Sequence, residues 1–213
     1  LEWFVHFGAD EDILVDAHPH IGTNKLPKII TAMREAIVDA GGEVHFNSKL
    51  TDVLIEDKAI KSVEINNDTW FNAAHVILAT GHSARDIFYL LHDKQITIEA
   101  KPFAIGVRVE HQQELIDTIQ YHGDQDNPYL PPASYALVEQ IDGMGVYSFC
   151  MCPGGIIAPC ATEPGEVVTN GWSPSKRNNP YANSGIVVSV TPKDLPNYSK
   201  DNPFVCLEFQ QEV

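Results

Sequence analysis

The stretch that most constrains the fold of this chain covers residues 73–85. The apolar run Val76–Ala79 stops at a Thr-Gly pair. A helix signal follows at once, because Ser83 can act as an N-cap three residues before Asp86 and ahead of a set of apolar residues. The pattern predicts a buried, parallel strand that leads through a turn at Gly81 into the N-terminus of a helix.

Such a turn is also a candidate ligand site. In open α/β sheets, ligands bind beyond the carboxyl ends of the strands. Gly81 has no Cβ, so a ligand can approach its backbone closely, and the free N–H groups at a helix start suit an anion such as a pyrophosphate. An ordinary strand-to-helix connection has the same local pattern, so the turn alone leaves both interpretations open.

Composition excludes some classes of function. The net charge is −15 over 213 residues, which opposes binding to nucleic acid or to an anionic membrane surface. No apolar run approaches the ~20 residues that span a bilayer, and no signal-peptide pattern is visible. Four cysteines are too few for a disulfide framework in a chain of this length, which predicts reduced thiols and a cytoplasmic location.

The remaining pattern predicts helices interleaved with short strands. Apolar spacing predicts a helix over 24–40, capped by Thr23 or Asn24 and ended by two glycines. Further helices are predicted at 115–119 and from 207 onward. Alternating apolar residues predict short strands at 44–46, 53–55, 60–65, 70–71, 103–110, 135–138, 146–150 and 186–190, with hairpin turns near 57–58 and 142–143. We therefore expect a mixed α/β fold with antiparallel sheet and a domain change near residues 92–101.

Three cysteines raise the question of a metal or redox site. Cys150, Cys152 and Cys160 offer only three soft ligands, at a spacing that matches no standard zinc pattern. In a strand, positions 150 and 152 share a face, so we expect both to be small core residues and expect no metal. A redox role for Cys152 stays open, because sequence does not report the pKa of its thiol.

Other polar residues allow both functional and structural interpretations. His18 and His20 precede the predicted helix 24–40 and could serve acid–base chemistry or metal binding, but packing at the helix start is the favoured interpretation. Asn170, Arg177 and Asn183 lie near glycine turns, where asparagine is also common for structural reasons.

Several segments together carry a family resemblance. Helix 24–40, the strands over 44–72 and Ala79-Thr80-Gly81 resemble the middle of FAD-dependent oxidoreductases of the two-dinucleotide-binding type, in which the Ala-Thr-Gly segment passes beside the flavin nucleotide. The second half is similar to a bacterial subgroup described only as uncharacterised FAD-dependent dehydrogenases. The segments that carry this similarity are His18–Lys25, Phe149–Gly155, Val168–Ser173, Arg177 and Ala182–Gly185.

One departure from the family concerns the Gly-x-Gly-x-x-Gly turn that cradles the FAD pyrophosphate. This sequence has none, and we expect it to be the central piece of a longer enzyme that binds FAD weakly or not at all alone. The resemblance implies part of a Rossmann-like FAD-binding domain over 1–92, a mainly antiparallel substrate or insertion domain over 93–190, and a return segment over 191–213.

The resemblance also implies a function and a set of site residues. The chain would form the central, substrate-domain portion of a flavin-dependent dehydrogenase, acting on a small-molecule substrate with NAD(P)H or another electron donor or acceptor. The alternative is a non-catalytic module that binds a ligand or a partner with the same fold. Residues implied for the FAD site are Thr80, Gly81, His82, Arg85, Gly154 and Gly155. Residues implied for the substrate site are Cys152, Asn170, Arg177 and Asn183.

Overall fold

Antiparallel pairing connects all the strands that the computed structural model describes; it describes residues 1–124 and 126–213. The strands are β1 (Leu50–Glu56), β2 (Ala59–Ile65), β3 (Thr69–Asn72), β4 (Phe103–Gln112), β5 (Val138–Ile141), β6 (Met144–Cys152), β7 (Ile156–Pro159), β8 (Thr169–Trp172) and β9 (Tyr181–Val190). The α-helices are α1 (Glu2–His6), α2 (Leu26–Asp39), α3 (Arg85–Asp93), α4 (Gln113–Tyr121) and α5 (Val205–Glu212), with short 3₁₀ helices at Glu11–Leu14 and Pro192–Asp194. In the described part of the chain, no helix is long and apolar enough to cross a membrane.

The chain divides into two units, each built from two separate segments. Unit 1 comprises Leu1–Glu43 and Phe103–Val190, and unit 2 comprises Val44–Pro102 and Thr191–Val213. This division differs from the sequence-based boundaries, because the first 43 residues group with the strands that follow residue 102. The functional assignment of the three predicted domains stays a prediction.

Unit 1 contains a four-stranded sheet in the order β4-β9-β6-β5 and a two-stranded sheet formed by β7 and β8. Strand β9 lies between two neighbours, and its first half is buried, as is typical of a central strand. Near the start of the chain, Ile29 of α2 packs with Ala9 and Ile13 in a small apolar cluster. The apolar face of α2 that the sequence spacing predicted therefore packs into this cluster.

Unit 2 contains a three-stranded meander, β1-β2-β3, together with α3 and α5. The Tyr89 ring of α3 lies 4.7 Å from the Phe204 ring, at the start of α5. An ion pair of 2.5 Å joins Asp52 of β1 to Lys94 at the end of α3. The Lys94 ammonium lowers the pKa of Asp52, and the pair ties the helix to the meander.

The prediction of a mixed α/β fold with antiparallel sheet is confirmed. Helix α2 occupies the predicted range 24–40 to within two residues, and β1 and β2 form the predicted hairpin around 57–58. Residues 142–143 form the turn of a second predicted hairpin, although β5 begins at Val138 rather than near residue 135. The predicted strands at 103–110 and 186–190 both lie within longer strands, β4 and β9.

The predicted buried strand at Val76–Ala79 is wrong. These residues form no strand, and the Ile77 side chain is 93% exposed. A buried parallel strand needs partners on its edges and layers on both faces, and no described strand pairs with this segment. The expected Rossmann-like character of residues 1–92 therefore stays a prediction. The predicted strand at 44–46 is also irregular, with Phe46 exposed.

The predicted helix caps are wrong as well. Helix α3 starts at Arg85 after Ala84, with no side-chain cap from Ser83. Helix α2 has Lys25 at its N-cap position, again without a side-chain cap. Thr23 and Asn24 use their hydrogen-bonding groups elsewhere, in contacts with a distant segment of unit 1.

Candidate functional site

The loop before α2 is held against the loop that follows β8. The Thr23 N–H and side-chain hydroxyl both donate to the Ser173 carbonyl, at 3.0 and 3.2 Å. The Ser175 N–H donates to the Asn24 side-chain oxygen at 2.8 Å, and His20 Nε2 lies 3.0 Å from the Pro174 carbonyl oxygen. Two of the segments that carry the family resemblance are thereby brought into contact.

A bulge near the end of β6 supplies a second wall. The pairing of β6 with β9 shifts register between Phe149 and Cys152, and Cys150 adopts a φ of +50°. Cys150 is exposed, whereas Cys152 is 7% exposed. The expectation that both thiols lie in the core is therefore wrong for Cys150, because the extra residue of a bulge breaks the alternation of a strand.

Arg108 of β4 connects this bulge to the centre of the sheet. Its Nη1 donates to Asn183 Oδ1 at 2.7 Å and to the Cys150 carbonyl at 3.3 Å. Asn183 is fully buried, and its Nδ2 has no hydrogen-bond partner within the described residues. A Cβ on Gly171 would overlap Arg108 Nη1 and would lie 2.5 Å from Asn183 Oδ1 and 2.6 Å from Cys152 Sγ. Gly171 therefore lets β8 close over this cluster.

Sequence reasoning missed Arg108. One signal was available, since Arg108 is the only charged residue inside the otherwise apolar run Phe103–Val109. A charged side chain in such a run is either exposed or paired, and here it is half-buried and paired.

The Pro153–Gly155 turn packs against the protein's own chain. The Gly154 N–H donates to Gln113 Oε1 at 2.7 Å, and the Ser173 hydroxyl donates to the Pro153 carbonyl. Gly154 has a φ of +51°, and a Cβ there would overlap the Arg177 carbonyl. The glycine is thus required by internal packing, and the predicted contact of Gly154 and Gly155 with FAD stays a prediction.

These loops and the bulge line an open cavity of about 610 Å³ in unit 1. This volume lies within the range of about 300–1,000 Å³ that is usual for small-molecule sites. We call it the main cavity. Its lining residues are Ala17–Thr23, Leu26, Cys150–Pro153, Gly171, Ser173 and Arg177.

The Cys152 thiol at this cavity is protonated at neutral pH. Burial, with smaller contributions from Cys150, raises the pKa of Cys152 to about 11, although Arg108 acts in the opposite direction. A thiol must ionise to act as a nucleophile, so the geometry favours a packing role over the redox role that the sequence left open. In the described residues, no group of three or more His, Cys, Asp or Glu side chains could hold a metal ion.

The structure divides the predicted site residues between the two units. Cys152 and Arg177 line the main cavity. Asn183 accepts a hydrogen bond from Arg108 and lies beside Gly171, which is another lining residue. Asn170 lies on β8, next to Gly171, and its side chain accepts a hydrogen bond from the Gly171 N–H at 2.8 Å. The other group, Thr80, Gly81, His82 and Arg85, lies in unit 2 at the start of α3.

Gly81 keeps the open backbone that the sequence predicted. Its φ is +79°, and apart from its chain neighbours no atom of the described residues lies within 4 Å of the position that a Cβ would occupy. A ligand can therefore reach the Gly81 backbone, in contrast to the closely packed Gly154.

Comparison with known proteins identifies the family. Residues 102–213 match the family described as FAD-dependent protein, C-terminal domain-like. The chain belongs to this family. The match begins just before β4 and contains the bulge of β6, Gly171 and Arg177, whereas the cavity wall formed by residues 17–23 and Leu26 lies outside it.

A longer bacterial protein is similar to the whole chain. An uncharacterized protein of Clostridium beijerinckii is 40% identical over 213 residues, which are 99% of this chain and 39% of that protein. The chain thus spans about two fifths of the length of the curated relative it matches.

The main cavity has groups that fit part of a flavin nucleotide. Ile21, Leu26, Met151 and Pro153 supply apolar surface for a ring system, and Arg177 supplies a cation. Arg177 Nε is a buried donor without a hydrogen-bond partner in the described part of the chain. A mostly apolar cavity with a few polar groups is the usual form of a cofactor site, so the family's association with FAD agrees with the groups present.

Proposed function

We propose that the chain contributes the substrate side of the flavin site in a flavin-dependent oxidoreductase. One observation carries this proposal. The loop 18–25, the bulged end of β6 and the loop that ends at Arg177 converge on a single cavity, although they lie far apart in the sequence. The same segments carry the resemblance to FAD-dependent dehydrogenases, and the family match covers two of the three.

In this proposal the polypeptide orients ligands and excludes water. A bound flavin would supply the hydride or electron transfer. The apolar side chains of Leu26 and Met151 would exclude water from the reacting groups, and Arg177 would fix the position of an anionic group. Thr80, Gly81, His82 and Arg85 are proposed to contact the nucleotide part of FAD.

The first test is the visible absorption spectrum of the protein expressed from its complete reading frame. We expect flavin bands that bleach with dithionite. Gly171→Ala should reduce the flavin content or turnover, because the added methyl group would displace Arg108 and Asn183. Gly145→Ala is the matched control, since its nearest neighbour would be Gln140 Nε2 at 3.5 Å.

A colourless, folded protein that does not take up added FAD would overturn the proposal and favour the non-catalytic binding module. Titration of the 213-residue chain itself with FAD tests the prediction that it binds FAD weakly or not at all; tight binding would contradict that prediction.

A further inference from the structure

We propose that the main cavity binds an anionic oxygen group, a carboxylate or a phosphate, carried by a ligand with an apolar body. This inference rests on the proposed function and names the chemical class that the site would accept. The charges around the cavity, the geometry of Arg177 and the apolar wall support it.

The charged groups that line the main cavity differ in sign from the net charge of the chain. The sequence has 29 acidic and 14 basic residues, yet no aspartate or glutamate is among the described residues that line this cavity. The charged or chargeable nitrogen groups there are Arg177, His18 and His20. A cavity that lacks carboxylates in so acidic a chain is electrostatically suited to an anion.

Arg177 is held in place by its backbone. Its N–H donates to the Pro174 carbonyl at 2.9 Å, and its φ is +47°. Its carbonyl packs against the Cα of Gly154, where no Cβ could fit. The position of the backbone is thereby fixed, and the side chain extends from a rigid base. Rigid placement reduces the entropy that is lost when a side chain binds a ligand.

The guanidinium of Arg177 has an unused donor. Its Nε is buried and lacks a hydrogen-bond partner within the described residues. A buried donor without a partner has lost its hydrogen bonds to water without replacement, which is unfavourable. If the guanidinium turned so that Nε faced the cavity, a carboxylate or phosphate there could accept from Nε and from a terminal nitrogen together, which is the paired geometry that arginine favours.

Arg177 also borders two other cavities of unit 1, of about 260 and 450 Å³. Carboxylates line both: Asp10, Asp12 and Asp16 line the smaller one together with Lys25 and Lys176, and Glu114 and Asp117 line the other. Glu114 and Asp117 would repel an anion in the larger of these two cavities, and in the smaller one the three aspartates offset the charges of Lys25, Lys176 and Arg177. In the main cavity no carboxylate of the described lining residues opposes Arg177.

The rest of the cavity wall favours an apolar part of the ligand. Ile21, Leu26, Met151 and Pro153 line the same cavity, and they would gain from covering an apolar body. A ligand with one anionic group and one apolar body, such as an aromatic or aliphatic carboxylate, satisfies both parts. A flavin nucleotide combines the same features, with phosphates and an apolar ring system.

The test uses isothermal titration calorimetry of the protein from its complete reading frame at physiological ionic strength. Benzoate is the anionic probe, benzamide is its uncharged counterpart of the same shape, and pyrophosphate is the phosphate probe. We expect saturable binding of benzoate or pyrophosphate, with benzamide weaker than benzoate by about tenfold or more. Equal affinity for benzoate and benzamide, or no binding of either anion, would overturn the proposal.

Variants of Arg177 test the residue itself. Arg177→Gln should weaken binding of the anion about tenfold or more, and Arg177→Lys should have an intermediate effect because it keeps the charge but loses the paired donors. Lys61→Gln makes the same change of charge on an exposed position of β2 and should leave binding unchanged. Circular dichroism confirms folding, and an Arg177→Lys or folded Arg177→Gln protein with unchanged affinity would contradict the proposal.

The two sources of the anion give different results. Benzoate binding that persists in flavin-loaded protein assigns the site to a substrate, whereas pyrophosphate binding that competes with FAD assigns it to the cofactor's phosphates. The comparison of benzoate with benzamide, by contrast, can be made on protein without flavin. A protein without flavin that still discriminates benzoate from benzamide would therefore overturn the proposed function while supporting this inference.

Discussion

Gly171 shows how one missing side chain shapes the site. Strand β8 approaches Arg108, Asn183 and Cys152 so closely that even a methyl group has no room. The sequence marked this residue only as part of a family segment, because a close approach between strands depends on tertiary packing. Asn170 and Asn183 were singled out in the sequence as polar residues near glycine turns. Gly171, however, is the residue at which β8 meets the buried cluster.

Replacing Gly171 with alanine should destabilise the protein by about 1–3 kcal/mol, because the new methyl group overpacks a buried cluster. The free energy of unfolding from urea denaturation measures this. Gly145→Ala serves as the control, since its surroundings leave room for a Cβ. Equal stabilities of the two variants would contradict the packing described for β8.

The Cys152 thiol predicts a dependence of stability on alkaline pH. Burial raises its pKa to about 11 in the folded protein. Below the ordinary thiol pKa the group is protonated in both states, so its contribution to stability is complete. Between about pH 9 and pH 11 the unfolded thiol ionises while the folded thiol does not, and stability falls by up to about 2–3 kcal/mol.

Cys152→Ala should therefore flatten the decline of unfolding free energy over this alkaline range, relative to the parent protein. Urea denaturation at several pH values provides the comparison. Parallel curves for the two proteins would show that the thiol is not shielded in the folded state.

Among the elements, those fixed by local chemistry were predictable. The hairpins at 57–58 and 142–143 and the helix α2 follow from turn residues and apolar spacing within short windows. The prediction of a buried strand at Val76–Ala79 was wrong because burial of an apolar run depends on neighbouring elements that a local pattern does not reveal. The main cavity could not be predicted from the sequence for the same reason, since its walls are joined by contacts between residues 150 positions apart.

The β1–β2 turn offers a local test. Asp57 and Lys58 both have positive φ, of 51° and 62°, and glycine is favoured at the second position of such a turn. Lys58→Gly should raise the free energy of unfolding by about 0.5–1 kcal/mol, because it relieves the left-handed conformation. Lys61→Gly, inside β2, should lower it by a similar amount, and a loss of stability in Lys58→Gly would contradict the assigned turn.

For the whole molecule, the family match and the folded units have different boundaries. Residues 102–213 omit the segment 1–43 that belongs to unit 1. A polypeptide of residues 102–213 should therefore lack the wall of the main cavity formed by residues 17–23. The sequence placed a domain change near 92–101, close to the start of the match, but no local signal shows that the first 43 residues return to the later strands.

Amide hydrogen exchange tests this expectation. In the 213-residue chain, the Ser175 N–H is bonded to Asn24 and should exchange slowly, whereas it should exchange quickly in the 102–213 polypeptide. The Gly155 N–H, bonded to Tyr181, lies wholly within the shorter polypeptide and serves as the control. Equal protection of Ser175 in both would show that its protection does not depend on the N-terminal segment.

Unit 1 is built from two segments that are separated in the sequence, and this has a consequence for synthesis on the ribosome. The loop containing Thr23 emerges before its partner Ser173, which is added only after all of the intervening chain. At roughly 5–20 residues per second, this delay is on the order of ten seconds. During that time the apolar residues around Ile21 and Leu26 have no cavity to line, so this segment of the nascent chain exposes apolar surface that a chaperone would be expected to cover.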